Sequence, residues 1–252
     1  MNVDKQKTVS GYKIWDYGYG AFEPLKPVCR ALSSESAVLL KNEGRILPLK
    51  QTEKIAVFGD YDVDGITSTV VVMDYLKRCG VRCLRYIPRR IEDGYGLSKE
   101  AILNLWEQGA TLMITVDCGI TGNEEVDYAN SLGMDVVITD HHECSEDGYK
   151  NIENGAIVVN NQTSENYPNK SYCGCAITRE FCRALDEFYW TDYASKYDDL
   201  VAIADIADVM SLKDIATRRE VALGLSNIRN KMLLEIFDAQ SFSTKGVISP
   251  FT

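Results

Sequence analysis

The residues of this sequence most suited to chemistry are acidic side chains and histidines that follow three short apolar runs, KIAVFG, TLMITV and MDVVIT. They are Asp60, Asp62, Asp64, Asp117, Asp140, His141 and His142. The five carboxylates repel one another at close range unless cations neutralise them. Carboxylate oxygens suit hard divalent ions, and the imidazoles shift the preference from Mg2+ toward Mn2+. The pattern therefore indicates a divalent-metal site, if the fold brings the three runs together.

Each of these motifs has a simpler interpretation when it is taken alone. GDYDVDG matches the start of an EF-hand calcium loop, but the twelfth position is Val71 instead of Glu. A single Asp after a strand, such as Asp117, is often a helix N-cap, and Asp-His-His could form a surface turn. The occurrence of all three motifs after successive strand candidates favours one shared site.

The elements that must position these residues follow from the alternation of short β-branched runs with longer helical patterns after Lys54. This alternation predicts βαβ units, and we expect an α/β fold with a doubly wound, mainly parallel sheet. After Cys173 the strand patterns stop, and three helical stretches predict a helical C-terminal part. Ligands of open parallel sheets bind outside the carboxyl ends of the strands, which is where the acids and histidines are expected.

Three segments are expected along the chain: an N-terminal extension over 1–53, a central domain over 54–232 and a short C-terminal segment over 233–252. The extension looks loop-like to about Pro27, and residues 28–44 then form a helix candidate. The 252 residues suffice for one large domain or two small ones.

Composition and charge exclude several classes of protein. Hydrophobic residues make up 45% of the chain, and no apolar run approaches the roughly 18 residues that a membrane span needs. The net charge of −10 argues against binding nucleic acid through bulk positive charge, so a polyanionic substrate must meet metal ions or a local basic patch. There is no apolar signal-peptide core near the N terminus, and the eight cysteines include no Cys-x-x-Cys pair. We therefore expect free thiols and a cytoplasmic protein.

Four ordered motifs, GDYDVDGITST, VDCG, TDHHEC and IADVMSL, resemble those of DHH-family phosphoesterases. Between them, YIPRRIEDGYGLS and YPNKSYCGCAITREFCRAL are similar to the RecJ-type branch of exonucleases specific for single-stranded DNA. The resemblance runs from about Lys54 to about Arg229. It implies metal-dependent hydrolysis of single-stranded DNA in the 5′-to-3′ direction and a part in DNA repair or recombination.

The resemblance also implies a metal ligand set. Asp60 would bind one ion, Asp62 would bind the other, and Asp117 would bridge the two. His141 and Asp208 would complete the shell of the second ion. Two ions, Mn2+ or Mg2+, would then activate a water molecule for attack on phosphorus.

Two further residues of these motifs receive roles in catalysis by the same resemblance. The catalytic candidates are His142, near the scissile phosphate, and Asp140, which would orient the imidazole. Asp64 is expected to cap the helix that follows it. The only short basic cluster near the predicted edge consists of Arg85, Arg89 and Arg90. This cluster could contact phosphates, or it could be a solvated loop.

Two features depart from the family pattern. Many relatives have a His ligand two residues before the first motif Asp, and Phe58 at this position weakens the first metal site. Full RecJ-type enzymes continue into a substrate-binding DHHA1 domain and a nucleotide-binding barrel, and we expect neither here. Residues 34–59 separately resemble the start of the C-terminal α/β domain of family 3 glycoside hydrolases. They include neither the barrel nor the acid and nucleophile of those enzymes, so no glycosidase activity is predicted.

Three functions are compatible with these observations. The first is a metal-dependent nuclease core for single-stranded DNA. The second keeps this chemistry for short oligonucleotides or cyclic dinucleotides, which the acidic net charge mildly favours. The third is an inactive DHH-like scaffold. The expected lack of a substrate-binding domain favours this interpretation, and the presence of all the motif acids argues against it. No repair-protein partner can be named, and no membrane contact is expected.

Overall fold

A five-stranded parallel sheet forms the centre of the computed structural model, which describes residues 6–9, 12–15, 54–143, 155–163, 167–240 and 248–250. The strands are β1 (Gln6–Val9), β2 (Tyr12–Trp15), β3 (Ile55–Gly59), β4 (Cys83–Tyr86), β5 (Leu112–Val116), β6 (Asp135–Asp140) and β7 (Ile157–Asn160). β1 and β2 form a separate antiparallel pair. The other five pair in parallel in the order β4-β3-β5-β6-β7.

Seven α-helices and one short 3-10 helix, Ala194–Tyr197, occur in the described residues. The helices between strands are α1 (Val63–Arg78), α2 (Lys99–Glu107) and α3 (Asn123–Ser131). Those after the last strand are α4 (Gly174–Tyr189), α5 (Asp198–Ala207), α6 (Ile215–Ser226) and α7 (Lys231–Ala239).

Alternate residues of each strand pack into two different hydrophobic layers. In β3, the side chains of Ile55 and Val57 pack with α1, α4 and α5, while Ala56 and Phe58 pack with α2 and α3. Every residue of β3 is buried, as a sheet with helices on both faces requires. The sheet is therefore doubly wound.

A change in winding direction determines where a ligand can bind. β4 lies on one side of β3 and β5 lies on the other, so the connections reverse direction between β3 and β5. Such a reversal opens a crevice at the carboxyl ends of the two strands, which is the usual ligand site of doubly wound sheets. Asp60 directly follows β3 and Asp117 directly follows β5, so both side chains start from this crevice.

The expected α/β class, the doubly wound parallel sheet and the helical C-terminal part are confirmed. Residues 6–15 were expected to be loop-like but include the β1–β2 pair, and the overlooked signal is the Ser-Gly turn dipeptide between QKTV and YKIW.

The helical pattern that begins at residue 216 predicts one helix to residue 230, but α6 ends at Ser226. The Oδ1 atom of Asn230 instead accepts a hydrogen bond from the backbone N–H of Met232 (3.0 Å) and caps α7. The helix candidate 28–44 and residues 34–53 of the glycosidase-like segment lie outside the described residues.

Two further sequence expectations concern helices and thiols. Among the described helices, none has the length and apolar character needed to cross a membrane. The six cysteines in the described part of the chain carry free thiols, as expected. Burial raises the pKa of each of these thiols, so they are in the unreactive protonated form.

Candidate metal centre

The connection from β3 to α1 positions the first two carboxylates. Asp60 is buried, and its Oδ1 atom accepts a hydrogen bond from the backbone N–H of Tyr61 at 2.7 Å. Asp62 is the N-cap of α1, and its Oδ1 atom accepts from the N–H of Gly65 at 2.9 Å. A Cβ atom on Gly65 would lie 2.5 Å from the Cβ atom of Asp60, so only glycine lets the first helical turn approach Asp60 this closely.

Asp64 does not cap α1, contrary to the sequence expectation, because the helix begins at Val63 and Asp62 is its cap. Its buried carboxylate instead accepts hydrogen bonds from the backbone N–H groups of Gly174 (2.6 Å) and Cys175 (2.7 Å). Asp64 therefore ties the start of α4 to the start of α1 and presents a charge to the centre of the site.

Asp117 is held in a strained and buried position after β5. Its φ of +59° lies in the left-handed region, which Asp and Asn tolerate better than most residues. The side chain is only 1% exposed, and its Oδ1 atom accepts no hydrogen bond from the described residues. A Cβ atom on Gly174 would lie 2.5 Å from this oxygen, so α4 covers Asp117 without a side chain between them. Burial, followed by the charges of Asp64 and Asp140, raises the pKa of Asp117 far above its usual range.

His141 lies among three carboxylates. Its Nε2 atom is 3.3 Å from Oδ1 of Asp117 and 3.6 Å from an oxygen of both Asp64 and Asp208. Asp208 is at the C-cap of α5, so this distant segment contributes to the same site as β3, β5 and β6. Burial raises the pKa of Asp208, and the charge of His141 opposes this effect.

Asp140 and His142 form a hydrogen-bonded pair beside this group. Oδ1 of Asp140 lies 2.7 Å from Nδ1 of His142 and also accepts from the N–H groups of His141 (2.7 Å) and His142 (3.1 Å). Its Oδ2 atom accepts from the N–H of Ile120 at 3.0 Å. Burial raises the pKa of Asp140, but these hydrogen bonds outweigh it and hold the pKa below its usual value. The same pair raises the pKa of His142, whose side chain is 43% exposed.

One residue missed by the sequence analysis supports this pair from β7. The side-chain amide of Asn160 donates a hydrogen bond to the backbone oxygen of His142 at 3.1 Å. The only sequence signal is the position of this polar residue at the end of a strand.

Within the described residues, candidate metal ligands meet in three overlapping groups, and the donor atoms of each group lie within 4.8 Å of one another. The groups are Asp60, Asp62 and Asp117; Asp64, His141 and Asp208; and Asp117, His141 and His142. A buried carboxylate oxygen without a hydrogen bond is costly unless a positive charge neutralises it. The donor set of carboxylates and imidazoles, together with this oxygen of Asp117, therefore fits divalent cations.

Comparison with known proteins agrees with this arrangement. Residues 54–210 match the model of the DHH family, N-terminal domain. The chain belongs to the DHH family. The chain is 38% identical over 181 residues to the single-stranded-DNA-specific exonuclease RecJ of Bacillus subtilis and 35% identical over 215 residues to that of Escherichia coli. These alignments cover 72% and 77% of this chain but only 22% and 37% of the two relatives.

A solved structure has the same DHH fold and a metal. The crystal structure of exonuclease RecJ bound to manganese matches with a TM-score of 0.63 and 30% sequence identity. The match covers 80% of this chain and 47% of the other. The chain thus corresponds to less than half of each of these RecJ proteins.

The three arginines of the expected basic cluster have different surroundings in the structure. Arg85 is exposed within the edge strand β4, opposite Val57. The side chain of Arg89 pairs with Glu92 at 2.6 Å and with Asp93 at 3.2 Å. The guanidinium of Arg90 lies 5.5 Å from the ring centroid of Tyr61, next to Asp60. Among the described contacts of the three arginines, that of Arg90 is the one made with the loop that carries Asp60 and Asp62.

Phe58 contributes no ligand atom to the DHH site. Its side chain is fully buried, and its ring centroid lies 5.0 Å from that of Tyr86. Because this ring packs in the layer of α2 and α3, the position supplies packing energy instead of a metal ligand.

Asp205→Asn should make the metal-free protein less sensitive to pH. Asp205 is buried on α5, its Oδ2 atom has no hydrogen-bond partner in the described residues, and burial raises its pKa to about 7. An acid with a raised pKa in the folded state stabilises the fold at low pH, and this contribution is lost between about pH 4 and pH 7. We expect Asp205→Asn to raise the free energy of unfolding at pH 8 by about 1–3 kcal/mol and to change it little near pH 4. Urea unfolding in EDTA across this range measures the difference, and an equal effect at both pH values would contradict the prediction.

Proposed function

We propose that this DHH domain hydrolyses phosphodiester bonds of single-stranded DNA, using divalent cations and releasing nucleotides from the 5′ end. The observation that carries the proposal is the meeting of carboxylates and imidazoles at the crevice between β3 and β5, around the buried Asp117 oxygen that accepts no hydrogen bond from the described part of the chain. The likeness to RecJ exonucleases supports single-stranded DNA as the substrate and Mn2+ as the metal.

Two ions are proposed, each with its own ligand set. Asp60, Asp62 and Asp117 would hold the first ion, which lacks an imidazole because Phe58 supplies none. The resemblance gave Asp62 to the second ion, and we propose the first instead because its donor atom lies within 4.8 Å of those of Asp60 and Asp117. Asp117, His141 and Asp208 would hold the second, with Asp64 close to His141. The imidazole of His141 favours Mn2+ over Mg2+. Bound divalent ions supply two effects in such a site: they lower the pKa of water, and they offset charge on phosphoryl oxygens.

His142 is proposed to act on the substrate through its Nε2 atom. Asp140 occupies Nδ1, which fixes the ring and stabilises its protonated form. The second ring nitrogen can then donate a hydrogen bond or a proton to a phosphate oxygen. Arg90, beside Tyr61, is the proposed phosphate contact, while roles for Arg85 and Arg89 stay predictions of the sequence.

Release of nucleotides from 5′-labelled single-stranded DNA in the presence of Mn2+ tests the function. We expect wild type to be active and EDTA to stop the reaction, and Asp60→Asn to lower the rate about 100-fold or more because a proposed ligand loses its charge. Asp127→Asn is the matched control, since this exposed carboxylate lies on α3. No release by wild type, or an unchanged rate for Asp60→Asn, would overturn the proposal.

A shorter substrate is the second candidate, and the charge distribution favours it. The net charge is −10, and Arg89 of the expected basic cluster is already paired with Glu92 and Asp93, so this arginine offers little free positive charge to a long strand. Turnover of dinucleotides, linear and cyclic, compared with turnover of a 20-nucleotide strand distinguishes the candidates. Faster turnover of dinucleotides would assign the site to short substrates.

An inactive scaffold differs from both enzymes in its affinity for metal. Calorimetric titration with Mn2+ should show binding at micromolar concentration if the ligand sets are functional, and a scaffold should show none. With DNA as its substrate, the protein is proposed to act in the cytoplasm, in DNA repair or recombination.

A further inference from the structure

A cavity separate from the metal centre lies between the chain segment that precedes α4, the side of α4 and the first turn of α6. Its volume is about 170 Å3. A cavity of about 150 Å3 is large enough for benzene, so this one has room for a small organic molecule. None of its wall residues belongs to the groups of candidate metal ligands.

The apolar part of the cavity wall contains two aromatic rings. Tyr167 and Tyr172 meet edge to face with their ring centroids 6.2 Å apart, and Pro168 and Ala216 line the cavity beside them. Burial raises the pKa of both phenols, so neither ring is charged at neutral pH. The electron-rich faces of such rings attract cations. This wall therefore favours a neutral or cationic ligand with an apolar body.

Glu180 is the buried acid of the cavity wall, and its surface is only 3% exposed. The guanidinium groups of Arg179 (2.9 Å) and Arg183 (2.8 Å) both donate to its Oε1 atom. Its Oε2 atom has no hydrogen-bond partner in the described part of the chain. A buried carboxylate oxygen without a donor is costly, so the group that suits this wall is a hydrogen-bond donor.

The ion pairs behind the wall contain more negative than positive charge. Arg179 also pairs with Asp198 at 2.9 Å and with Glu220 at 2.5 Å. In these described ion pairs, three carboxylates share the two guanidinium groups of Arg179 and Arg183. One negative charge is thus left over, and a donor that carries a positive charge neutralises it.

We propose that this cavity binds a primary ammonium group on a short aliphatic chain. The ammonium donates a hydrogen bond to Oε2 of Glu180, and the chain packs against the rings of Tyr167 and Tyr172. A quaternary ammonium has the charge but no N–H to donate, so the site discriminates against it. The ligand contacts both α4 and α6 and therefore stabilises the folded state. This binding site is additional to the proposed hydrolysis and does not depend on it.

Calorimetric titration of the whole chain in EDTA tests the class of ligand. Butylammonium chloride carries the proposed group, 1-butanol keeps the chain without the charge, and tetramethylammonium chloride keeps the charge without an N–H. Total ionic strength is held constant with NaCl. We expect butylammonium to bind with a Kd of about 1 mM, and at least about 10-fold more tightly than either of the other two.

A lysine derivative distinguishes two sources of the same group. Nα-acetyl-lysine amide presents a primary ammonium on a peptide backbone. Tighter binding of butylammonium would assign the cavity to free amines, and tighter binding of the lysine derivative would assign it to a lysine side chain of another protein. Either result supports a site for primary ammonium.

Two variants test the location of the site, each with a matched control. Ala216→Leu extends a larger side chain from the cavity wall and should weaken butylammonium binding at least about 10-fold, whereas Ala222→Leu, on an exposed position of α6, should not change it. Glu180→Gln removes the proposed partner charge and should weaken binding by a similar factor, whereas Glu187→Gln, exposed on α4, should not. Thermal melting checks that the variants are folded. If Glu180→Gln does not fold, because its ion pairs with both arginines are weakened, Ala216→Leu decides.

Several results would overturn the ammonium site. They are butylammonium binding no tighter than that of 1-butanol or tetramethylammonium, and binding that Ala216→Leu leaves unchanged. Absence of butylammonium binding up to roughly 50 mM would assign the cavity to water. These titrations contain neither DNA nor divalent metal, so a failure of the proposed hydrolysis would be a separate result.

Discussion

Asp117→Asn should abolish hydrolysis and at the same time make the metal-free protein more stable. The carboxylate of Asp117 is buried beside Asp64 and Asp140, and no group among the described residues donates a hydrogen bond to its Oδ1 atom. Asparagine keeps the shape and tolerates the left-handed backbone at φ +59°, but it removes the charge. We expect the free energy of unfolding in EDTA to rise by about 1–3 kcal/mol, and the rate to fall roughly 1,000-fold or more because both proposed metal sites share this residue.

Urea unfolding with and without Mn2+ measures both halves of this prediction. Wild type should gain stability from Mn2+, since a ligand that binds only the folded state stabilises it, and Asp117→Asn should gain little. Asp127→Asn, on the exposed face of α3, is the control for the loss of one negative charge. A variant that is less stable than wild type in EDTA, or that responds equally to Mn2+, would contradict the assignment of Asp117.

The difference between Asp117→Asn and wild type should depend on pH. Because the pKa of Asp117 is raised in the folded state, this acid favours folding while it is protonated, below about pH 4. As pH rises above this value the unfolded state loses its proton first, so wild type loses stability that the asparagine variant keeps. The stability gain of the variant should therefore grow from pH 4 toward neutral pH.

The central fold and most of the site follow from local sequence patterns. Strands β3, β5 and β6 are short, almost fully buried runs. Asp60 directly follows β3, Asp117 directly follows β5, and Asp140 is the last residue of β6. Parallel strands direct their carboxyl ends to one edge, so order along the chain is enough to predict that these acids meet. Asp208 was found through its motif, because it lies at the end of a helix that no strand pattern connects to the site.

The parts that the sequence did not reveal depend on contacts between distant segments. Asp64 was expected to cap α1 because the helical pattern suggests a start at Ile66, whereas its hydrogen-bond partner is the N–H of Gly174, 110 residues away. Gly174 also lies against Asp117, another distant residue, and this second long-range contact is what requires glycine at the position. The arginines illustrate the opposite error, since neighbours in sequence such as Arg89 and Arg90 have different partners in space.

Asp140→Asn and His142→Ala should show that these two residues act as one unit. His142→Ala removes the group proposed to contact the phosphate and should lower kcat by about 100- to 10,000-fold. Asp140→Asn removes the negative charge that holds Nδ1 of His142 at 2.7 Å, and we expect a loss of about 100-fold. In the double variant the second substitution should add less than about threefold, since Asp140 has no ring left to orient.

The pH dependence of kcat separates orientation of the ring from a general loss of structure. Asp140 raises the pKa of His142, so the protonated ring persists to higher pH in wild type. If the protonated ring assists the reaction, activity should decline at high pH, and this decline should begin at lower pH in Asp140→Asn. Asp135→Asn, an exposed carboxylate at the opposite end of β6, is the matched control and should change neither kcat nor its pH profile.

Asp140 also accepts backbone hydrogen bonds from Ile120, His141 and His142, so Asp140→Asn should lose about 1–3 kcal/mol of stability in addition. This structural cost would appear in the double variant as well, but it cannot move the pH profile of an enzyme that has no His142. If the rate losses are fully additive and the pH profile of Asp140→Asn is unshifted, Asp140 acts through its backbone hydrogen bonds, and hence on His141, instead of on the ring of His142. Non-additive losses with a shifted profile would instead support a single Asp140–His142 pair that holds a proton at Nε2, beside a separate metal centre built on Asp117.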